Sequence, residues 1–211
     1  MRQFENPWEK IELLDYIGHM SEPEIGQYQM INKYFKRIYQ HYLPERILFP
    51  GCTSGNGFEH INRKRIKNVT GVDINETFLE AASQIYGNDL PLNLIHGDIQ
   101  SLILDENYFD LVFAALIFEY VNIEKVLHLF STALRKGGKL AVLLQQPIEL
   151  KGSVSKSKYI NLRILEPVIN LISEEEFKRM ALEKGFEPVE EKLVTMPNGK
   201  SFFQGEFNLQ K

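Results

Sequence analysis

The 211-residue chain has one cysteine, Cys52, so an intrachain disulfide is excluded and a reducing compartment is expected. No run approaches the roughly 18 consecutive apolar residues of a membrane-spanning helix. The opening "MRQFENPWEK" lacks the apolar stretch of a secretory signal. Positive charge is not in excess: 24 Lys and Arg face 28 Asp and Glu, a net charge of −4. That balance argues against a broad electrostatic footprint for duplex nucleic acid. No cluster of His, Cys and Asp has the spacing of metal ligands, so no metal is expected. These absences point to a cytoplasmic protein with no membrane and no duplex nucleic-acid partner. Its 44% apolar and 25% charged residues are ordinary for a globular chain long enough to bury one sizeable core.

What is present falls into three parts of one expected domain. Residues 1–44 read as helical, with Tyr28, Ile31, Tyr34, Phe35, Ile38, Tyr39 and Tyr42 on one face and Pro44 as the stop. From residue 45 to 147, strands alternate with helices. "RILFP", "NVTGVDI", "LNLIHGDI", "FDLVFAAL" and "KLAVLLQQP" read as strands, with short helices near 55–62 and 123–135 and a further helix capped by Asn75. This alternation predicts a parallel sheet with helices on both faces and ligands at the carboxyl ends of the strands. Residues 148–211 begin with a Ser/Lys-rich stretch. They continue with a helix opened by the capping pair Ser173 and Glu176, and close with a hairpin turning at Pro197-Asn198-Gly199.

The loop "GCTSGNG" after the first strand holds glycines at 51, 55 and 57. A phosphate-binding P-loop requires a lysine that is not there. A dinucleotide loop requires Gly-x-Gly-x-x-Gly, but Thr53 stands at the middle glycine and Asn56 at the third. S-Adenosylmethionine carries no phosphate and is selected by acids for its ribose and adenine. Asp73 closes the second strand 22 residues after Gly51, placed to accept from two ribose hydroxyls. Asp98 follows the third strand, placed to accept from an exocyclic amine. Ile74 and Ile99 directly follow these acids and can sandwich a purine.

In this order "ILFPGCTSGNG", "GVDIN", "HGDIQSL", "FDLVFAALIFEYV" and "LRKGGKLAVLLQQP" resemble the class I S-adenosylmethionine-dependent methyltransferases. The likeness covers about residues 45–147. It implies a Rossmann-like, seven-stranded, mostly parallel sheet with a C-terminal antiparallel hairpin. It also implies that Gly51, Thr53 and Gly55 line the methionine end, that Asp73 holds the ribose, and that Asp98 holds the adenine. The segment from Ala114 to Phe118, with Ala115 at its centre, would lie beside the reactive end, and S-adenosylhomocysteine would be the product. Two positions depart from the family pattern. Phe49 stands where an acid usually precedes the first glycine by two, and Thr53 replaces the middle glycine.

The resemblance fixes the methyl donor and leaves the acceptor open among O, N and C atoms of a small molecule. "AALIFEY" lacks the Asp/Asn-Pro-Pro-aromatic motif of enzymes that methylate base amines. Glu119, His19 and Gln145 are the candidate acceptor-side groups, with Tyr120 and Gln146 beside them. Lys151, Lys156, Lys158 and Arg163 offer an anionic acceptor partners if they cover the site. Residues 1–44 and about 148–172 would form that cover. Two other readings remain at this point: a cofactor-binding module without transferase activity, motivated by Phe49 and Thr53, and a nicotinamide-dependent oxidoreductase. A monomer or a homodimer satisfies the sequence equally.

Overall fold

In the computed structural model, residues 6–147 and 152–210 are described. The five parallel strands are β1 (Arg46–Pro50), β2 (Asn68–Asp73), β3 (Leu92–His96), β4 (Phe109–Ala115) and β5 (Leu134–Gln145). They are joined to β6 (Phe186–Thr195) and β7 (Ser201–Leu209) in one sheet of order β3-β2-β1-β4-β5-β7-β6. β7 pairs antiparallel with both β5 and β6, so it alone runs against the others. The predicted hairpin is therefore present, with its second strand placed inside the sheet and its first at the edge. Glu190, Glu191 and Lys192 on exposed β6 discourage pairing with another chain.

Strand alternation places successive residues on opposite faces. Ile47, Phe49, Leu111, Phe113 and Leu143 pack under α1 (Leu13–Ser21), α2 (Gln27–Tyr42) and α3 (Glu76–Tyr86). Leu48, Val112, Ala114, Leu140 and Val142 pack on the other face under α4 (Ile123–Ala133) and α5 (Glu174–Glu183). α2 buries Ile31, Tyr34, Phe35, Ile38 and Tyr39, the predicted stripe, and ends with Leu43 in the left-handed region. Asn75 and Ser173 cap α3 and α5 by accepting from the N–H groups of Thr77 and Glu176.

Three local expectations change. The helix near 55–62 is only one 3-10 turn, Phe58–His60. β5 begins at Leu134, directly after α4, and bulges so that Phe109 pairs with Leu134 but Leu111 with Lys139. Gly137, at φ 72°, supplies the left-handed residue within that bulge. In the C-terminal third, Ile160–Val168 is a 3-10 helix carrying Pro167, which explains the lack of a 3.6-residue period there.

β1 pairs with both β2 and β4, and the chain direction of sheet growth reverses between β1 and β4. Open α/β sheets bind ligands outside the carboxyl ends of their strands at this switch point.

Candidate functional site

A cleft of about 1090 Å³, its open mouth included, lies at that edge. Gly51 follows β1 at φ 67°, and its N–H and that of Cys52 donate to the Val72 carbonyl, pinning the loop to the end of β2. Thr53 adopts φ 48°, a left-handed conformation that costs a β-branched residue on the order of 1–3 kcal/mol. The Asp73 carboxylate holds it there. Oδ2 accepts from the Thr53 N–H at 2.8 Å, and Oδ1 accepts from the Asn75 N–H at 2.9 Å. Burial pushes the Asp73 carboxyl up, while the N–H groups of Asn75, Thr53 and Ile74 pull against that rise. Each oxygen retains accepting capacity for a ligand.

Gly51, Thr53, Asp73, Ile74, Asp98, Ile99 and Ala115 all line the cleft, as do Glu119, His19 and Gln145. Gly55 is elsewhere: at φ 85° it packs so closely on Phe58 and Tyr86 that a Cβ would fall 2.7 Å from the Phe58 ring. Its need for glycine is a packing need, and it does not line the cleft. Asp98 is oriented by Gln100, whose backbone N–H donates to Oδ1 at 2.9 Å. The Gln100 side chain accepts from the Asn122 N–H. His96 donates from Nε2 to the Ile74 carbonyl at 3.0 Å and so closes its strand end. Cys52 is buried, its thiol pushed well above the ordinary value by burial, which keeps it from acting as a nucleophile.

Phe49 points away from the cleft, into a ring cluster with Phe35, Phe58 and Phe113 at centroid separations of 5.0, 4.7 and 5.9 Å. The acid of the family pattern is thus replaced by a core residue.

The cover comes from residues that sequence periodicity did not single out. Asn75 Nδ2 donates to the carbonyls of Trp8 and Ile11, tying the segment before α1 to the start of α3. Trp8 meets Tyr120 edge-on at 5.0 Å and Tyr16 at 6.1 Å. Tyr16 lies against Asp73 and the Thr53 side chain, and burial raises its pKa above the ordinary tyrosine range. From the other side, Ser157 Oγ meets His19 Nδ1 at 2.7 Å. The Ser153 carbonyl accepts from Gln145 Nε2 at 3.0 Å and from Lys200 Nζ. The only sequence signal for Trp8 and Tyr16 was their aromatic character in a segment expected to cover the site.

The described lining around Glu119 and His19 carries no lysine or arginine, with buried Lys200 behind it. Glu119 is 5% exposed; its Oε1 accepts from the Gln145 N–H at 2.8 Å, and its Oε2 has no partner among the described residues. Burial lifts its carboxyl to about 7. His19 is buried too, and burial with Lys200 nearby lowers its pKa to about 4, so it is neutral at physiological pH. Lys156, Lys158 and Arg163 are exposed and none lines the cleft, while Lys151 lies outside the described residues. Gln146 is also outside the lining and accepts from the Glu174 N–H. Among the described residues no His, Cys, Asp and Glu group is placed to hold a metal ion, and no helix is long and apolar enough to cross a membrane.

A glycine turn after β1, acids at the end of β2 and just after β3, and a sheet with one inserted antiparallel strand make an α/β fold of the methyltransferase type. Residues 48–142 match the family model described as a methyltransferase domain. The fold is similar to the N-methyltransferase NodS from Bradyrhizobium japonicum WM9, solved with S-adenosylhomocysteine, at a TM-score of 0.70 and 14% identity over 98% of this chain and 100% of that one. It is similar to a phosphoethanolamine N-methyltransferase 2 from Haemonchus contortus at a TM-score of 0.75 and 15% identity, covering 100% of this chain and 61% of that one. The [4+2]-cyclase SpnF shares the fold at a TM-score of 0.67 and 13% identity, over 85% of this chain and 81% of that one. No curated protein matches the sequence. The methyltransferase-domain match over residues 48–142 and the fold shared with S-adenosylmethionine-dependent methyltransferases point the same way and leave the acceptor open.

Proposed function

We propose that this chain works as one unit that methylates a small molecule held between the sheet edge and the covering segments 6–27 and 152–171. The observation that carries this reading is the convergence of Asp73 and Asp98, each behind its own strand, on the cleft lined by Gly51 and Thr53. The residues fit S-adenosylmethionine. Asp73 would accept from the ribose hydroxyls, Asp98 from the adenine amine, and Ile74 and Ile99 would flank the base. Gly51, Thr53 and Ala115 would border the methionine end. When bound, the cofactor supplies an electrophilic methyl on a sulfonium. The protein's own task is alignment and exclusion of water, which Trp8, Tyr16 and Tyr120 perform as an aromatic roof. The setting would be the cytoplasm, and the protein would act as a monomer or a homodimer.

Calorimetry with S-adenosylmethionine and S-adenosylhomocysteine tests this directly, and the absence of binding by either at millimolar concentration refutes it. Asp73→Ala should weaken binding by about 1–3 kcal/mol, because ligand hydroxyls and two backbone N–H groups lose their acceptor. An unchanged affinity would remove the ribose assignment.

A module that binds the cofactor without transferring methyl is the second reading. It is favoured by Phe49, which leaves the methionine ammonium without the usual acid, and by the cyclase that shares the fold. Formation of S-adenosylhomocysteine with a methylated product eliminates it. The nicotinamide reading gains nothing from the family match.

A further inference from the structure

We propose that the methyl acceptor is an amine that arrives as an ammonium, and that Glu119 is the group that receives it. This rests on the methyl-transfer reading and names its substrate class. Four observations converge. First, Glu119 belongs to the lining of the cleft, and its Oε2 is buried with no donor among the described residues. A buried carboxylate oxygen in that condition is costly unless a ligand supplies the donor. Second, only the backbone N–H groups of Gln145 and of Glu119 itself support its ionised form; no cationic side chain does. Third, the described lining contains three carboxylates, Asp73, Asp98 and Glu119, a neutral His19, and no lysine or arginine. Fourth, Trp8, Tyr16 and Tyr120 present aromatic surface to the same space, which favours cations over anions.

The chemistry selects among acceptors. An anionic acceptor would add a fourth negative group to a lining with no lysine or arginine, and buried Lys200 behind it already donates to the Ser153 carbonyl. A neutral alcohol would satisfy Oε2 but leave a buried net negative charge. An ammonium does both, donating to Oε2 and neutralising it. A carboxyl lifted to about 7 by burial is also a competent base for an ammonium and far too weak for an alkyl alcohol. Glu119 takes one ammonium proton and becomes neutral. The freed nitrogen lone pair then forms the N–C bond to the methyl as the C–S bond breaks, its electron pair staying on sulfur. The products are the methylated ammonium and the neutral thioether. His19 has the other reading of a base, but its Nδ1 is engaged with Ser157 and it stands neutral without a carboxylate partner of its own in the hydrogen-bond pattern.

The test uses methyl-labelled S-adenosylmethionine with a panel of small primary and secondary amines, each paired with the isosteric alcohol and carboxylic acid, together with the small-molecule fraction of a cell extract. Label on nitrogen, reduced at least 100-fold in Glu119→Gln, is the expected result. Label on oxygen or carbon overturns the inference while leaving methyl transfer intact. No label on any acceptor from a protein that binds S-adenosylhomocysteine overturns the methyl-transfer reading itself, and the inference with it. A second readout does not depend on turnover. With S-adenosylhomocysteine saturating, the Glu119 side-chain carboxyl carbon is followed by NMR as the best amine is added. Its apparent pKa should fall by a unit or more, and a pKa that stays put overturns the assignment. Should Glu119→Gln instead spare N-methylation but abolish the preference for S-adenosylmethionine over S-adenosylhomocysteine, Glu119 serves the sulfonium and the inference fails. A thermal melt matching the parent protein shows that the variant is folded.

Discussion

Glu119 and His19 are each buried in the lining of the cleft, and burial moves their titrations in opposite directions. Glu119 rises from an ordinary 4.5 to about 7, so it contributes stability below pH 4.5 that is lost as pH climbs through 7. His19 falls from 6.5 to about 4, so it contributes stability above pH 6.5 that is lost as pH drops through 4. Each contribution is on the order of 3 kcal/mol, and between pH 4.5 and 6.5 they oppose one another. Glu119→Gln should therefore unmask a ligand-free protein that becomes steadily more stable from pH 4 to 6.5. His19→Gln should show the reverse trend, losing stability from pH 4.5 to 7. Thermal melts across this range check it, and superimposable pH profiles for the two variants would contradict both burial effects. Glu119 and His19 were readable as candidates from their neighbours in sequence, a strand end and a helix in the covering segment. Their protonation was not readable, because it depends on burial in the folded chain and on Gln145 and Lys200, which lie 26 and 181 positions away.

At the scale of elements, the sequence was most legible where one local force dominates. The aromatic stripe of α2, the caps at Asn75 and Ser173, and the strands ending in Asp73 and at His96 before Asp98 follow from periodicity and turn chemistry. It was least legible where tertiary packing decides, as in the 3-10 segment Ile160–Val168, the bulged start of β5 and the packing role of Gly55. The cover is such a case. Tyr159 lies directly on Gly18 of α1, so close that a Cβ on Gly18 would stand 2.2 Å from Cζ of the ring. Asn161 Nδ2 donates to Asp15 beside it at 2.7 Å. Alanine would raise the intrinsic helix preference of α1 by about 1 kcal/mol, yet it must displace the ring. Gly18→Ala should thus leave helix content intact, speed proteolysis within residues 152–161 and accelerate release of S-adenosylhomocysteine. Adding Tyr159→Ala should restore the wild-type fit of α1 without restoring the slow release. Unchanged proteolysis and release in Gly18→Ala would show that this contact does not hold the cover.

For the whole molecule, the cleft gathers residues from the start of the described chain, from the ends of β1 to β5, and from the segment after β5. A ligand seated there links all three. At 100 times its dissociation constant, S-adenosylhomocysteine should add about 2.7 kcal/mol of stability. In a chain of this size that raises the melting temperature by roughly 5–10 °C. The shift should be the same by intrinsic tyrosine and tryptophan fluorescence as by far-ultraviolet circular dichroism; a split transition would mean that cover and sheet melt apart. The placement of β7 sets a different kind of limit, one of timing. Its Phe202, Phe203 and Phe207 are fully or almost fully buried, and it bridges β5 to β6 in the interior of the sheet. During synthesis, the β5 edge has no native partner until residue 209 has emerged from the ribosome. The newborn chain must therefore carry that edge unpaired from the completion of β5 at Gln145 until β7 follows, an interval in which it is exposed to wrong pairing.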